Sequence, residues 1–269
     1  MSSDAPPAST DRPIIAFFDV DNTLLRGASA FQLGKGAFRE GMVTVRDILH
    51  FGWVQLRFLA VGENGKHMFK ARERALELIG GHSVIELTAL AESIYHRHIE
   101  TKLWPETLEL AREHQRKGHE VWLISATPSI MGKVIADKLG LTGALGTEFA
   151  HENGVFTGKL DGPLLHGEEK AVAAEELARA KGASLADCWA YSDSRNDIPL
   201  LTLVGNRTVV NPDVLLAHHA REQDWAVLQL KPSSIRAARK RVKSEARVSR
   251  KGSKGPDDSS RGQKKRPAA

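Results

Sequence analysis

The segment FFDVDNTLL, from Phe17 to Leu25, places two carboxylates one residue apart directly after an apolar run. Residues 14–20 are mostly apolar and continuous, which is typical of a strand that is buried on both faces. Two acids at the end of such a strand stand where an open α/β sheet binds its ligands. A pair of Asp residues has little specificity alone, because Asp is also common in turns and at helix caps. Its meaning therefore depends on the rest of the chain.

Four further apolar runs indicate more strands of the same kind. They are EVWLISA at 120–126, CWAYS at 188–192, RTVVN at 207–211 and AVLQL at 226–230. Helical patterns separate the runs, and this alternation predicts parallel βαβ units. Asn153 and Gly154, within a glycine-rich segment, are a strong signal for a β-hairpin. The predicted fold is α/β, a Rossmann-like core with a parallel sheet flanked by helices.

The spacing of the strand signals also divides the chain into domains. Residues 31–103 contain no comparable strand run, and charges alternate with apolar positions as in helices, which predicts an inserted helical cap. The core then consists of residues 13–30 together with residues 104–232. Residues 1–12 are rich in Ser, Ala, Pro and Asp, and residues 233–269 are rich in Lys, Arg, Ser, Gly and Pro. We expect both of these end segments to be disordered.

The net charge of +5 is distributed unevenly along the chain. Of the 38 Lys and Arg residues, 14 lie from Lys231 onward, together with only 3 of the 33 Asp and Glu residues. The body of the chain is therefore mildly acidic and the tail is strongly basic. Such a tail predicts a negatively charged partner, either nucleic acid or an anionic membrane surface, unless it is simply a solvated extension.

Composition bounds the class of protein and its compartment. With 41% hydrophobic residues, the chain has enough apolar material for a sizeable core. The single cysteine, Cys188, excludes an intramolecular disulfide and fits a reducing compartment. No apolar stretch is long enough to predict a transmembrane helix, and the first residues lack the pattern of a signal peptide. We expect a cytoplasmic protein.

Polar side chains lie at the ends of the first three predicted strands. Asp19 and Asp21 end the first strand, Ser125 the second and Asp193 the third, while Lys170 opens a helix before the third. Because the carboxyl ends of parallel strands share one edge of the sheet, we expect these groups to meet there. Carboxylates such as Asp19, Asp21 and Asp193 are ligands that Mg²⁺ prefers. Ser125 and Lys170 can bind phosphate oxygens, so the set indicates magnesium-assisted phosphate chemistry.

These positions resemble the motifs of the haloacid dehalogenase (HAD) superfamily of phosphohydrolases. The D-x-D-x-T motif matches Asp19 to Thr23, the Ser of the second motif matches Ser125, the Lys of the third matches Lys170, and the D-x-x-x-D motif matches Asp193 to Asp197. The helical insertion is similar in position to the cap of the phosphoserine-phosphatase-like branch, subfamily IB. The resemblance implies a magnesium-dependent phosphatase that hydrolyses a small-metabolite phosphomonoester through an aspartyl-phosphate.

The resemblance also implies a role for each residue. Asp19 would attack phosphorus, and Asp21 would protonate the leaving group while its backbone carbonyl holds the metal. Asp193 would complete the metal site, and Asp197 would orient either Lys170 or a metal-bound water without touching the metal itself. The remaining positions would bind phosphate or substrate, and they are Ser125, Ala126, Lys170 and Asn196.

Three positions depart from the pattern of this branch. Ala28 stands where the phosphoserine enzymes carry a Glu that binds the substrate's ammonium group, while Ala126 and Ser192 replace glycines. The substrate therefore stays open between phosphoserine, another small metabolite and, given the apolar cap stretch 47–59, a lysophospholipid or other lipid phosphate. Transfer of phosphate to an acceptor other than water is also open. The alternative of another class is a non-catalytic protein that binds nucleic acid or a membrane surface through its tail.

Overall fold

The structure is a computed structural model that describes residues 12–41 and 79–252 of the chain. The described residues fall into two units, one ending at Leu230 and the other beginning at Lys231. Most of the predicted cap, including the apolar stretch 47–59, lies outside the described residues. The same holds for residues 1–11 and 253–269 of the two ends that were predicted to be disordered.

Six parallel strands form the central sheet in the order β3-β2-β1-β6-β7-β8. The strands are β1 (Ile15–Phe18), β2 (Glu120–Pro128), β3 (Gly143–Thr147), β6 (Trp189–Ser192), β7 (Asn206–Val210) and β8 (Ala226–Leu228). A separate antiparallel hairpin consists of β4 (Phe149–Glu152) and β5 (Val155–Leu160). The α/β class and the parallel sheet that the sequence predicts are thus confirmed.

Helices flank the sheet and form the described part of the insertion. They are α1 (Ser29–Arg39), α2 (Val84–Ile94), α3 (Pro105–Arg116), α4 (Ser129–Leu139), α5 (Glu168–Lys181), α6 (Ile198–Leu203), α7 (Val214–Glu222) and α8 (Pro232–Gly252). Helix α2 begins at a capping box, in which Ser83 and Glu86 bind each other's backbone N–H groups. It continues through a π-helical turn, Tyr95–Ile99, into a 3₁₀ turn at Glu100–Lys102. Most of the described part of residues 31–103 is therefore helical, as predicted, while residues 79–83 form turns and an isolated bridge to β5.

Strand β1 lies at the centre of the sheet because both of its faces are apolar. All four of its residues are fully buried. On one face Phe17 packs in a cluster with Ile124 and Ala190 of the two neighbouring strands. On the other face the ring of Phe18 stacks on Tyr191, with the ring centroids 4.2 Å apart. This packing holds the start of the FFDVDNTLL segment inside the core.

The order of the strands creates a ligand-binding position at the end of β1. From β1 the chain crosses to β2 and then to β3 on one side of the sheet, and later returns to β6, β7 and β8 on the other side. The direction of progression thus reverses at β1, and the crevice at such a switch point is where open α/β sheets bind ligands. The residues that follow β1, β2 and β6 point to this crevice as the site.

The glycine-rich segment contributes a strand that the sequence analysis did not assign to the main sheet. The predicted hairpin is present, with Asn153 and Gly154 at positive φ angles of 49° and 78° in its turn. Just before it, Gly143–Thr147 pairs with β2 as an edge strand of the parallel sheet. Glycine is needed there because a Cβ atom on Gly146 would lie 2.6 Å from the Cα atom of Ser129. Sequence propensity does not report such a close approach of two backbones.

The tail differs from the expectation of disorder. Residues Pro232–Gly252 form the helix α8 in the second unit, although residues 233–269 were predicted to be disordered. The segment begins with Pro in the first turn and then consists largely of Ala, Arg and Lys, which are strong helix formers. Low hydrophobicity argued for disorder, but it does not oppose helix formation. Within the described ranges, no helix is both long and apolar enough to cross a membrane.

Candidate active site

Asp19 leaves the sheet at the switch point. Its backbone N–H donates to the carbonyl of Tyr191 at 2.9 Å, which extends the pairing of β1 with β6 by one residue. The chain then turns, with Asn22 at a φ of 58° and its side-chain oxygen accepting from the N–H of Gly27 at 3.0 Å. The side chain of Asp19 is held at the carboxyl end of the central strand and is only 5% exposed.

Lys170 joins two of the predicted carboxylates in a buried ion-paired cluster. Its Nζ atom lies 2.6 Å from Oδ1 of Asp19 and 2.7 Å from Oδ2 of Asp197. Lys170 lies in the first turn of α5, directly after the turn at Gly167, and is 3% exposed. Ser192 Oγ donates to the same oxygen of Asp197 at 2.6 Å. The structure thus brings together Asp19, Lys170 and Asp197, which lie far apart in the sequence.

Burial sets the electrostatics of this cluster. It disfavours the charge on Lys170, but the carboxylates of Asp19 and Asp197 outweigh this effect and raise the pKa of the ammonium group above its ordinary value. Burial raises the pKa of Asp19 to about 7, although Lys170 acts in the opposite direction. The repulsion by Asp197 and Asp193 adds to this increase. Lys170 therefore offsets the effect of burial on Asp19 only in part.

Asp193 follows β6 and adds a further carboxylate to the site. Burial raises its pKa to about 6, while a side-chain hydrogen bond from Asn22 acts in the opposite direction. Its backbone carbonyl accepts from the N–H of Asp213 at 3.0 Å, which holds the loop after β6. Asp193 is near enough to Asp19 to raise the pKa of that residue. Asp193 and Asp19 therefore lie in the same crevice at the ends of β6 and β1.

The residues present fit a magnesium ion. Among the described residues there is no cluster of three or more His, Cys, Asp or Glu side chains that could hold a metal. Mg²⁺, however, usually takes only one or two carboxylates and completes its shell with water and substrate oxygens. Asp19 and Asp193 could supply the two carboxylates; burial raises the pKa of each, and repulsion from neighbouring carboxylates, which a cation would relieve, adds to the rise. Asp21 could contribute only its backbone carbonyl, because its carboxylate is bound elsewhere.

Asp21 is held by the first residue of α1. Its Oδ1 atom accepts from the backbone N–H of Ser29 at 2.8 Å and from Ser29 Oγ at 2.5 Å. Burial raises the pKa of Asp21, and the two bonds from Ser29 oppose that rise. Ser29 Oγ lies 2.6 Å from Thr127 Oγ1, which in turn lies 3.1 Å from Ser125 Oγ. A continuous row of hydrogen bonds therefore joins the predicted proton donor to the predicted phosphate-binding serine.

The structure places the other two predicted residues at the margin of the cluster. Asn196 is exposed, and its side-chain amide donates to Ser194 Oγ at 3.2 Å rather than to the ion-paired residues. Its backbone carbonyl lies beside Gly167, where the helix of Lys170 begins. Ala126 lies in β2, and its carbonyl accepts from Thr147 Oγ1 at 2.8 Å, which ties β2 to β3. The roles of both residues toward a substrate remain predictions.

Sequence reasoning missed the functional contacts of three hydroxyl side chains, Ser29, Thr127 and Ser192. Ser125 and Thr127 lie two apart on β2, so they share a face of the strand, and that spacing was a usable signal. Ser29 gave no such signal, because its contact with Asp21 depends on where α1 begins. Ser192 was noted only as a departure from glycine, whereas its hydroxyl holds Asp197.

The comparison with known proteins agrees with this geometry. Residues 16–202 match the model of the family described as haloacid dehalogenase-like hydrolase. The chain is 47% identical over 218 residues to Phosphoserine phosphatase SerB1 of Mycobacterium tuberculosis, covering 81% of this chain and 71% of that protein. It is 28% identical over 222 residues to Histidinol-phosphatase of Neisseria meningitidis, covering 81% of this chain and 99% of that protein.

A solved structure shows the same fold. A protein of unknown function from Bordetella pertussis Tohama I superposes with a TM-score of 0.71 at 27% sequence identity, covering 81% of this chain and 98% of that chain. The structural similarity and the family match agree on an α/β hydrolase fold. The chain belongs to the haloacid dehalogenase-like hydrolase family, and within it to the phosphoserine-phosphatase-like phosphatases. The alternative of a non-catalytic binding protein is therefore wrong.

Proposed function

We propose that the chain is a magnesium-dependent phosphatase that hydrolyses a small-metabolite phosphomonoester through an aspartyl-phosphate on Asp19. The observation that carries this proposal is the buried contact of Lys170 with both Asp19 and Asp197 at the switch point of the sheet. A carboxylate can attack a phosphate dianion only where positive charge offsets the repulsion between them. Lys170 supplies part of that charge from a position that burial and two ion pairs fix.

The first half of the reaction transfers the phosphoryl group to the protein. An oxygen of Asp19 attacks phosphorus, the bond between phosphorus and the ester oxygen breaks, and that oxygen leaves with the bonding pair. Asp21 donates its proton to the departing oxygen, so an alcohol is released rather than an alkoxide. Lys170 and Ser125 bind oxygens of the phosphoryl group and keep it in line with Asp19.

The second half of the reaction returns the protein to its starting state. Asp21, now ionised, accepts a proton from water as the water oxygen attacks phosphorus. The bond between phosphorus and the Asp19 oxygen breaks, which releases inorganic phosphate and restores the carboxylate. Because the attacking oxygen need not be that of water, an alcohol in the same position would give phosphate transfer instead. Hydrolysis is the reaction that the phosphatase family supports.

Asp19, Asp193 and the backbone carbonyl of Asp21 would hold Mg²⁺. When bound, Mg²⁺ supplies positive charge that neutralises phosphate oxygens and the excess of carboxylates in the crevice. Asp197 holds Lys170 in place and is itself fixed by Ser192, so the lysine cannot turn away from Asp19. Removal of the metal is expected to abolish turnover while leaving the fold intact.

The substrate class follows less directly from the residues. A relative with 47% identity is named a phosphoserine phosphatase and a more distant one a histidinol-phosphatase, and both names denote small phosphomonoesters. Ala28 lies beside Ser29 at the margin of the site and offers no carboxylate for an ammonium group. The apolar stretch 47–59, which suggested a lipid phosphate, lies outside the described residues. We therefore keep a small metabolite phosphate as the proposed substrate class.

The test is a phosphate-release panel run with and without Mg²⁺. Phosphoserine, histidinol phosphate, sugar phosphates and lysophosphatidic acid are compared for the wild type and for Asp19→Asn. We expect Mg²⁺-dependent release from at least one small ester and a loss of about a thousand-fold or more in the variant, because the nucleophile is gone. Asp187→Asn, an exposed acid ahead of β6, is the matched control and should keep full activity. Full activity of Asp19→Asn would refute the mechanism.

A second function is suggested by the helix α8. Its 21 residues contain eight Lys and Arg residues and a single acid, Glu245. After Pro232, its apolar residues are Ile235, Val242, Val248 and three Ala, and it has no aromatic side chain. Such a helix has little apolar area to insert into a bilayer but high charge density for a phosphate backbone. We propose that α8 binds nucleic acid, and salt-dependent binding to duplex DNA tests this.

A further inference from the structure

Four side chains form one hydrogen-bonded row through the candidate active site. The row consists of the Asp21 carboxylate, Ser29 Oγ at 2.5 Å, Thr127 Oγ1 a further 2.6 Å away and Ser125 Oγ a further 3.1 Å away. The three hydroxyl residues are buried, with exposed fractions of 0% for Ser29, 3% for Thr127 and 4% for Ser125. The row connects the start of α1 to the end of β2, two elements that are almost a hundred residues apart in the sequence.

The protons of this row can point in only one direction while Asp21 is ionised. A carboxylate only accepts hydrogen bonds, so the single proton of Ser29 Oγ goes to Asp21. Ser29 must then accept from Thr127, and Thr127 must accept from Ser125. The geometry of the Ser125 hydroxyl agrees, since it donates to Thr127 Oγ1. Each hydroxyl of the row is then fixed by its neighbours. In this state the single proton of Ser125 goes to Thr127, so Ser125 can donate to a phosphate oxygen only when Asp21 is protonated, as it is before the leaving oxygen departs.

The structure assigns to Ser29 and Thr127 the task of positioning the Asp21 carboxylate for proton delivery to the leaving oxygen. This inference rests on the proposed function, in which Asp21 is the proton donor. Ser29 binds Asp21 through both its N–H and its hydroxyl, which fixes the rotation of the carboxylate about its last bond. Thr127 holds the Ser29 hydroxyl from behind and links it to the phosphate-binding Ser125. The hydrogen bonds thereby fix the position of the Asp21 carboxylate relative to the phosphoryl group at Ser125.

The energetic reason lies in the sensitivity of proton transfer to geometry. A general acid must come within hydrogen-bond reach of the leaving oxygen, and such an acid contributes about 10²- to 10⁴-fold to the rate. An error of about 1 Å in its position can cost roughly 10²-fold. Without the Ser29 hydroxyl, Asp21 would lose one of its two hydrogen bonds and its connection to Thr127 on β2. The loss of rate should be greatest for esters whose leaving group needs the proton.

A series of three phosphate esters separates positioning of the acid from other effects. The esters are p-nitrophenyl, phenyl and benzyl phosphate. p-Nitrophenolate leaves without a proton, phenolate depends on a proton to a greater extent, and the benzyl alkoxide cannot leave without one. The specificity constant kcat/KM covers substrate binding and the first phosphoryl transfer, so breakdown of the aspartyl-phosphate does not interfere. For Ser29→Ala and Thr127→Val we expect kcat/KM to fall about 10- to 100-fold with benzyl phosphate and less than about threefold with p-nitrophenyl phosphate.

Conservative and distant variants complete the design. Ser29→Thr and Thr127→Ser keep a hydroxyl and should restore most of the benzyl phosphate activity. Thr107→Val removes a buried hydroxyl from α3 that bonds only the carbonyl of Trp104 at 3.3 Å, and it should change neither activity. Thermal melting of each variant shows whether it is folded. If Ser29→Ala does not fold, Thr127→Val tests the same inference, because it removes the other partner of the Ser29–Thr127 hydrogen bond.

The outcomes are distinct. Equal losses on all three esters, or full benzyl phosphate activity in both hydroxyl-free variants, would overturn the positioning role while leaving the phosphatase mechanism intact. Failure of the wild type to hydrolyse any of the esters with Mg²⁺ would overturn the proposed function and this inference with it. A loss confined to the benzyl ester, restored by the hydroxyl-bearing variants, supports the inference.

Discussion

At the scale of single residues, the crevice is defined by an imbalance of charge. Four carboxylates, Asp19, Asp21, Asp193 and Asp197, lie at the carboxyl ends of β1 and β6, and among the described residues Lys170 is the one cation bonded to any of them. Burying several like charges costs free energy of folding, because each charge has lost water and repels the others. The protein tolerates this cost at the position where a cation and a phosphate would relieve it.

Asp193→Asn is predicted to stabilise the metal-free protein. The folded-state pKa of Asp193 is about 6, above its ordinary 3.8, so the folded state holds the proton in a pH range where the unfolded state has released it. The free energy of unfolding therefore falls as pH rises from about 4 to 6, and the full cost is present above pH 6. Replacing the carboxylate should raise the free energy of unfolding by roughly 1 kcal/mol at neutral pH, allowing for screening by water. Near pH 4 the replacement should leave the free energy of unfolding unchanged.

Urea denaturation of wild type and variant in a chelator, at acid and at neutral pH, measures this difference. Adding Mg²⁺ should stabilise the wild type, because an ion that binds only the folded state shifts the equilibrium toward it, and should stabilise Asp193→Asn much less. Asp187→Asn, whose carboxylate is exposed, serves as the control. A variant that is less stable than the wild type in the chelator, or equally stabilised by Mg²⁺, would contradict the assignment of Asp193.

The residues of the site differ in how well the sequence predicts them. Asp19, Lys170 and Asp197 could be placed because each follows a strand or opens a helix, and parallel strands bring those ends together. Ser125 was expected to end the second strand, whereas β2 continues to Pro128 and Ser125 lies near its carboxyl end. The contact of Ser29 with Thr127 could not be placed, since it depends on the position of α1 over the end of β2. That position is a property of tertiary packing, which no local pattern encodes.

At the scale of secondary-structure elements, the helix α8 shows why composition alone misjudged the tail. The basic, polar sequence lacks the apolar residues of a core, and this led to the prediction of disorder. Helix propensity, however, is a local property, and Ala, Arg and Lys favour the helix whether or not it packs on a core. A helix arranges its cations along a rigid rod, whereas a disordered chain would spread them over many conformations.

The nucleic-acid proposal for α8 is tested on the full chain by fluorescence anisotropy with a labelled duplex across a series of salt concentrations. The triple variant Arg236→Gln, Arg239→Gln, Lys240→Gln removes three exposed cations of α8. The slope of log K against log salt should shrink by about 0.9 for each lost phosphate contact, with affinity falling roughly tenfold or more at low salt. The matched control is the triple Gln variant of three exposed cations at the C-terminal end of α3, namely Arg112 and Arg116 of the helix and Lys117 directly after it.

Three results would contradict this proposal. Binding that is insensitive to salt, or equal in the α8 variant and the α3 control, would remove α8 from any role with nucleic acid. Tighter binding to phosphatidylserine vesicles than to the duplex, lost in the α8 variant, would assign the helix to a membrane surface instead. The short apolar side chains of α8 lead us to expect the duplex to be preferred.

At the scale of the whole molecule, the order of the strands brings the carboxylates that follow β1 together with residues from distant parts of the sequence. The reversal of strand order at β1 brings the ends of β2 and β6 to either side of Asp19. The alternation of strands and helices in the sequence predicts this sheet. It does not identify the edge strand β3, because two of the five residues of β3 are glycine, which is uncommon in strands. Neither pattern specifies the substrate, because the strand order fixes the position of the crevice and not the side chains that contact a leaving group.

The central claim is that a phosphoryl group passes through Asp19. The most direct measurement is to mix the protein with Mg²⁺ and its best substrate, reduce it with borohydride during turnover, and map the products by peptide mass spectrometry. An acyl phosphate is reduced to an alcohol, so the account predicts homoserine at position 19, dependent on substrate and absent from Asp19→Asn. Unmodified Asp19 during continued turnover, with homoserine at another acid, would contradict it.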